Sequence, residues 1–114
     1  VFTASISGYN NVAPANGIYG TSKSALSAYM KYAALELAGK GIRCNAVHPG
    51  RINTPLISNR MLTEEDVAKD VEQYPLKRYG EPSEVAHAII YLLSDAASWV
   101  TGTNLVIDGG RSLK

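Results

Sequence analysis

What the sequence lacks narrows it first. It has one cysteine, Cys44, in 114 residues, so no disulfide framework forms within the chain. A lone thiol fits a reducing, cytoplasmic setting. Eleven Lys and Arg against ten Asp and Glu leave a net charge of +1, with no basic surplus for nucleic acid or an anionic membrane. No apolar run nears the ~20 residues that cross a bilayer; the densest, Ala88 to Leu93, is short. The first residues have neither a basic stretch nor a long apolar core, so no secretory signal is recognisable. His48 and His87 stand far apart, and with one cysteine they offer no metal-ligand cluster. There is no G-x-G-x-x-G and no P-loop to cradle a phosphate.

What is present is ordinary globular composition, 46% hydrophobic and 18% charged. The length suits one domain, which buries roughly two thirds of its unfolded surface. Val1 to Ala4 reads as a short buried strand, and Ser5 to Gly17 has loop composition. From Ile18 to Ala38, Leu26, Tyr29, Met30, Ala33, Ala34 and Leu37 recur at helical steps as one apolar stripe. Gly39 and Gly41 end that helix as residues tolerant of the left-handed conformation. Ile42 to Val47 alternates like a second strand and runs into His48-Pro49-Gly50.

Thr63-Glu64-Glu65-Asp66 predicts a helix start with an acidic first turn. Pro82 opens a strong helix with Val85, Ala86, Ile89, Ile90, Leu92 and Leu93 on its apolar face. Thr103 to Ile107 reads as the last strand, closed by Asp108-Gly109-Gly110. Strands alternating with helices imply an α/β fold with right-handed crossovers and a parallel sheet. Residues 56–74, where the apolar signal weakens, read as an insert in a single domain.

Several residues could carry chemistry. Tyr19 and Lys23 lie one helical turn apart on one face. A phenol has a reference pKa of ~10, and a neighbouring ammonium favours its phenolate. Such a pair can exchange a proton with an alcohol or carbonyl; an exposed helix pair is the plain alternative. Ser5 stands at the end of the first strand, where open α/β sheets bind ligands. It could polarise a substrate oxygen or cap a turn, and Ser7 could do either job. His48 is either a general base or a structural histidine at a strand end. The Pro49-Gly50 turn leaves backbone groups free to face a ligand, and Thr54 adds a hydroxyl.

Taken in order, these segments resemble the short-chain dehydrogenase/reductase family. The resemblance rests on VFTAS, on Tyr19-Gly20-Thr21-Ser22-Lys23, on Ile42 to Gly50, and on Ile52-Asn53-Thr54-Pro55. It continues through Gly80-Glu81-Pro82-Ser83-Glu84-Val85-Ala86 and Thr101 to Gly110, and is least over residues 56–74. The resemblance implies a Rossmann-like doubly wound parallel sheet, of which residues 1–114 are the C-terminal, catalytic half. It also implies roles. Tyr19 donates or accepts the proton, Lys23 favours its phenolate and holds the nicotinamide ribose, and Ser5 holds the substrate oxygen. Pro49 and Gly50 lie against the nicotinamide. Ile52, through its backbone, and Thr54, through its hydroxyl, hold the carboxamide; Asp108 has a structural part.

Ser5 stands one residue farther from Tyr19 than is usual in the family, which makes Ser7 its substitute. Tyr9, Leu56 and Ile57 are expected to line the substrate pocket. The implied cofactor is NAD or NADP, its determinant lying upstream. The implied partner is a small alcohol or ketone, and the implied assembly a dimer or tetramer. The isolated 114-residue chain is expected to be inactive and to bind neither cofactor tightly. Two competing readings are a nucleotide-sugar epimerase or dehydratase of the extended branch, and a non-catalytic oxidoreductase-like scaffold. The Asn45-to-Pro55 segment and the Asp108-Gly109-Gly110 ending favour the oxidoreductase branch.

Overall fold

The computed structural model describes residues 1–58 and 63–114. Three strands form one parallel sheet in the order β1-β2-β3: β1 (Phe2–Thr3), β2 (Ala46–Pro49) and β3 (Asn104–Ile107). Phe2 pairs with Ala46 and Thr3 with Val47, while Ala46 to Pro49 pair with Asn104 to Ile107. The long helix α1 (Gly17–Ala38) connects β1 to β2. Two short helices, α2 (Pro55–Ser58) and α3 (Glu64–Val71), and then α4 (Pro82–Leu93), lie between β2 and β3. This is the α/β architecture expected from the sequence.

The central strand is the most buried. Ala46, Val47 and His48 are all fully covered. Met30, Ala33 and Ala34 of α1 pack against Cys44 and Ala46, with Phe2 and Leu37 at the margin. Tyr29, expected on that stripe, is instead exposed and meets Phe2 only edge-on, with ring centroids 6.0 Å apart. The small Ser27 takes the buried place, which lets the helix sit close to the sheet.

The second strand starts later than the alternation suggests. Residues 42–45 are not in it: Ile42 N–H donates back to the Leu37 carbonyl, and although the Asn45 carbonyl still accepts from Phe2 N–H, most other polar groups of residues 43–45 go to the turn before β3. Cys44 N–H donates to the Thr101 hydroxyl (3.1 Å), and Gly102 N–H donates to the Cys44 carbonyl (2.7 Å). Asn45 donates to the Val100 carbonyl and accepts from Thr103 N–H. Arg43 binds the carbonyls of Val100 and Ser94. At the end of α1, Gly39 keeps helical angles and only Gly41 turns left-handed (φ 73°).

The expected start at Thr63 is a reciprocal cap: the Thr63 hydroxyl accepts from Asp66 N–H, and the Asp66 carboxylate accepts from Thr63 N–H. Pro82 occupies the first turn of α4, where its missing N–H costs nothing. Part of the 56–74 insert, residues 59–62, lies outside the described residues. Among the described residues no helix is long and apolar enough to cross a membrane, and no cluster of metal-ligand side chains occurs.

Candidate active site

Leaving β1, Ser5 keeps an extended backbone and is 8% exposed. Its Oγ accepts from Ser7 N–H (3.2 Å), so it caps a single 3-10 turn, Ile6–Gly8. That turn is pressed onto the start of α1 with no room to spare. A Cβ built on Gly8 would stand 2.5 Å from the Lys23 carbonyl carbon and 2.5 Å from Ser24 N. One built on Gly20 would stand 2.8 Å from the Ser7 carbonyl oxygen. The Ser24 hydroxyl donates to the Gly8 carbonyl (2.8 Å), and Asn16 donates to the Ser7 hydroxyl (3.4 Å).

This close packing brings the helix residues to the strand end. Lys23 Nζ donates to the Thr3 carbonyl (3.0 Å) and lies 5.7 Å from the centre of the Tyr19 ring. Tyr19 itself is 46% exposed. Ser5, Ser7, Tyr19 and Lys23 therefore gather where β1 meets α1. Tyr9 joins them by packing on the His48 ring, with centroids 4.9 Å apart.

The neighbouring strand ends in Pro49-Gly50. Gly50 N–H donates to the Ile107 carbonyl (2.9 Å), and a Cβ on Gly50 would stand 3.0 Å from the Asp108 Cβ. The turn thus lies against the Asp108-Gly109-Gly110 segment. Asp108 in turn accepts from Gly110 N–H (2.9 Å) and Ser112 N–H (2.8 Å), the structural part expected of it.

Ile52 forms an isolated parallel bridge with Gly80. Its flanking residues make the bonds: Asn53 N–H donates to the Gly80 carbonyl, and Gly80 N–H to the Arg51 carbonyl. In a parallel pairing this turns the N–H and C=O of Ile52 itself to the opposite side. The Thr54 hydroxyl donates to the Ile52 carbonyl (3.3 Å). Leu56 and Ile57 stand apart in α2, Leu56 exposed and Ile57 half-buried.

The segment after Gly50 is tied down by an aromatic and ionic cluster. Arg51 pairs with Asp70 of α3 at 3.0 Å, and its N–H donates to the Tyr74 hydroxyl (3.2 Å). Burial pushes the Tyr74 and Tyr79 phenols above their ordinary value, which suits structural rather than proton-transfer roles. A cavity of about 280 Å³ beside them is lined by Arg51, Ile52, Tyr79, Gly80 and Asp108. It includes none of Ser5, Tyr19 and Lys23, so it is not where they converge.

Sequence reasoning missed Gly8, Ser27 and Asn104. Gly8 could have been flagged only as a glycine within a loop. Asn104 contacts residues more than fifty positions away, which leaves no periodic trace.

The family model described as enoyl-(acyl carrier protein) reductase matches residues 1–112. The chain belongs to the short-chain dehydrogenase/reductase family. It is 46% identical over 114 residues to cyclohexanol dehydrogenase of Acinetobacter sp. (strain SE19), covering 100% of this chain and 43% of that protein. Levodione reductase of Leifsonia aquatica is 40% identical over 118 residues, with 98% and 44% covered. Among solved structures, a short-chain type dehydrogenase/reductase from Mycobacterium ulcerans superposes with a TM-score of 0.91 at 38% identity, over 98% of this chain and 40% of that one. A 4-hydroxyisoleucine dehydrogenase complexed with NADH gives a TM-score of 0.92 at 34% identity, over 98% and 46%. The chain thus spans less than half the length of these family members.

Proposed function

We propose that the full-length protein carrying this segment is an NAD(P)-dependent oxidoreductase that interconverts a secondary alcohol and a ketone. The observation that supports this most is the convergence at the end of β1. There Lys23 bonds the Thr3 carbonyl beside the Tyr19 ring, two residues from Ser5. The names of the relatives, dehydrogenases and a reductase, favour redox chemistry over epimerisation.

Ser5 hydrogen-bonds the substrate oxygen and orients it. Its Oγ already accepts from Ser7 N–H, which leaves its O–H to donate outward. Tyr19 moves a proton between its phenol oxygen and that substrate oxygen. The Lys23 ammonium favours negative charge on the phenol. Ser7 is the substitute for Ser5.

The donor set fits the nicotinamide end of the cofactor. Lys23 supplies an ammonium for the ribose hydroxyls. The backbone of Ile52, whose carbonyl accepts from the Thr54 hydroxyl, and that hydroxyl would hold the carboxamide in this reading. Pro49 and Gly50, whose turn lies against Asp108, would face the nicotinamide in this reading. When bound, NAD(P) would supply hydride-transfer chemistry at the carbinol carbon, and these residues would position and polarise the substrate.

Residues 56–74 cover the substrate in this reading, with Tyr9, Leu56 and Ile57 lining its pocket. Residues 1–114 are the catalytic half of a larger Rossmann-like domain. A cytoplasmic homo-oligomer, dimer or tetramer, belongs to the same reading. It is supported by the buried free thiol of Cys44 and the exposed apolar side chains Tyr32, Leu35, Ile90 and Leu93. The test is nicotinamide reduction by the full-length protein with a panel of secondary alcohols. Lys23→Met is expected to shift alcohol oxidation to higher pH and to weaken cofactor binding. An unchanged pH profile and affinity would remove Lys23 from the mechanism.

A further inference from the structure

One buried group has no part in the chemistry above. His48, on the central strand, is 0% exposed and has both ring nitrogens engaged. Nδ1 lies 2.9 Å from the Ser5 carbonyl oxygen. That oxygen can only accept, so Nδ1 carries a proton and donates it. Nε2 lies 2.9 Å from the side-chain amide of Asn104, on the neighbouring strand β3. The same end of that amide is 2.8 Å from the Ser27 hydroxyl, one turn beyond Lys23 on α1. An amide has a carbonyl on one side and an NH₂ on the other, so Asn104 can complete Nε2 whether Nε2 donates or accepts. The donation from Nδ1 to Ser5 is the same in both cases.

We infer that His48 is a positioning residue for Ser5. Its Nδ1–H, beside the Gly8 N–H that donates to the same oxygen (3.0 Å), fixes the Ser5 carbonyl, and with it the extended backbone from which the Ser5 hydroxyl is presented. Asn104 and Ser27 hold the plane of the ring, and Tyr9 covers it. The run Ser5–His48–Asn104–Ser27 joins three carriers of the site: the strand end with the serine, the strand leading to Pro49-Gly50, and the helix with Tyr19 and Lys23. A satisfied polar network in a low-dielectric interior rigidifies the groups it joins. His48 touches no substrate and moves no proton. The inference rests on the reading of Ser5 as the group that holds the substrate oxygen.

The experiment compares Ser5→Ala, His48→Leu, His48→Asn and the Ser5→Ala/His48→Leu double variant in the full-length protein. His48→Leu is expected to lower kcat about tenfold or more, with the cofactor KM within about twofold of wild type. His48→Asn, whose NH₂ can stand in for Nδ1–H, is expected to recover most of that loss. In the Ser5→Ala background His48→Leu is expected to add little, because both changes remove one function. A full additive loss in the double variant, or a His48→Asn as slow as His48→Leu, would overturn positioning through Ser5. Wild-type kcat in Ser5→Ala would instead overturn the reading of Ser5. NMR of the isotope-labelled His48 imidazole reads the same hydrogen bond independently of turnover. A slowly exchanging proton on Nδ1 is expected, and an unprotonated Nδ1 would overturn the inference whatever the activity.

Discussion

The junction of β1 with α1 and the segment from Arg51 to Glu84 are held by different kinds of contact. At the junction, main chain meets main chain. Gly8 lies where a Cβ would strike the Lys23 and Ser24 backbone, and Gly20 where one would strike the Ser7 carbonyl. In the Arg51–Glu84 segment side-chain pairs add to the backbone bridge of Ile52 with Gly80: Arg51 with Asp70, Asn53 with Glu81, Lys77 with Glu72 and Arg78 with Glu84. Backbone packing fixes position and tolerates almost no substitution where it is tightest. Side-chain ties can be exchanged one pair at a time. A fold built this way can keep the groups proposed to react still while the part proposed to cover the substrate changes.

The sharpest way to break that contrast is Gly8→Ala. A methyl 2.5 Å from backbone atoms has no flexible neighbour to push aside. The variant is expected to lose about 3 kcal/mol or more in denaturant unfolding of the full-length protein. A loss below about 0.5 kcal/mol would mean that the junction yields as easily as a surface loop.

Gly80→Ala is the counterpart in the other region. There the added Cβ meets only the far end of Ile52, at 2.7 Å from Cδ1. The expected cost is about 1–2 kcal/mol, and Ile52→Val, which removes that methyl, is expected to restore part of it. No rescue by Ile52→Val would show that the backbone bridge, not the side chain, is strained.

The smallest effect belongs to the exposed pair Arg78 and Glu84. The Arg78 guanidinium and the Glu81 N–H hold the Glu84 carboxyl down at about 2, against an ordinary 4.5. A carboxyl whose folded pKa is depressed contributes stability above its unfolded pKa and loses it as pH falls through the folded value. Arg78→Met is therefore expected to move the Glu84 NMR titration up toward 4.5 and to flatten the acid-side loss of stability between those two values. At neutral pH the variant loses the stability this pair supplies there, so the melting point is expected to fall, but only slightly, because solvent and salt screen an exposed ion pair. A large drop at neutral pH would show that this pair anchors α4.

The order of elements was legible because each carries a local signal. The short apolar run Leu105-Val106-Ile107 marks β3, the acidic turn after Thr63 marks α3, and Pro82 marks α4. The strand at Ile42 to Val47 misled because alternation reports which way side chains point, not where backbone bonds go. Residues 43–45 bond to the turn before β3, and that turn lies more than fifty positions downstream. Tyr19 and Lys23 were legible as a pair one turn apart, and Ser5 as a hydroxyl at a strand end. Their meeting was not. It depends on how closely the Ile6–Gly8 turn packs on α1, which two glycines decide without any periodic signature. The ring partners of His48 were hidden too, since Ser5 and Asn104 lie more than forty positions away from it on opposite sides in the sequence.

The central claim is that Tyr19 moves the proton at the junction of β1 and α1. Tyr19→Phe in the full-length protein tests it directly, because the side chain is half-exposed and loss of its hydroxyl leaves no buried group unpaired. Alcohol turnover with NAD(P) is expected to fall by about a thousandfold, with the thermal midpoint within about 2 °C of wild type. Wild-type-like turnover in a folded Tyr19→Phe protein would contradict the account.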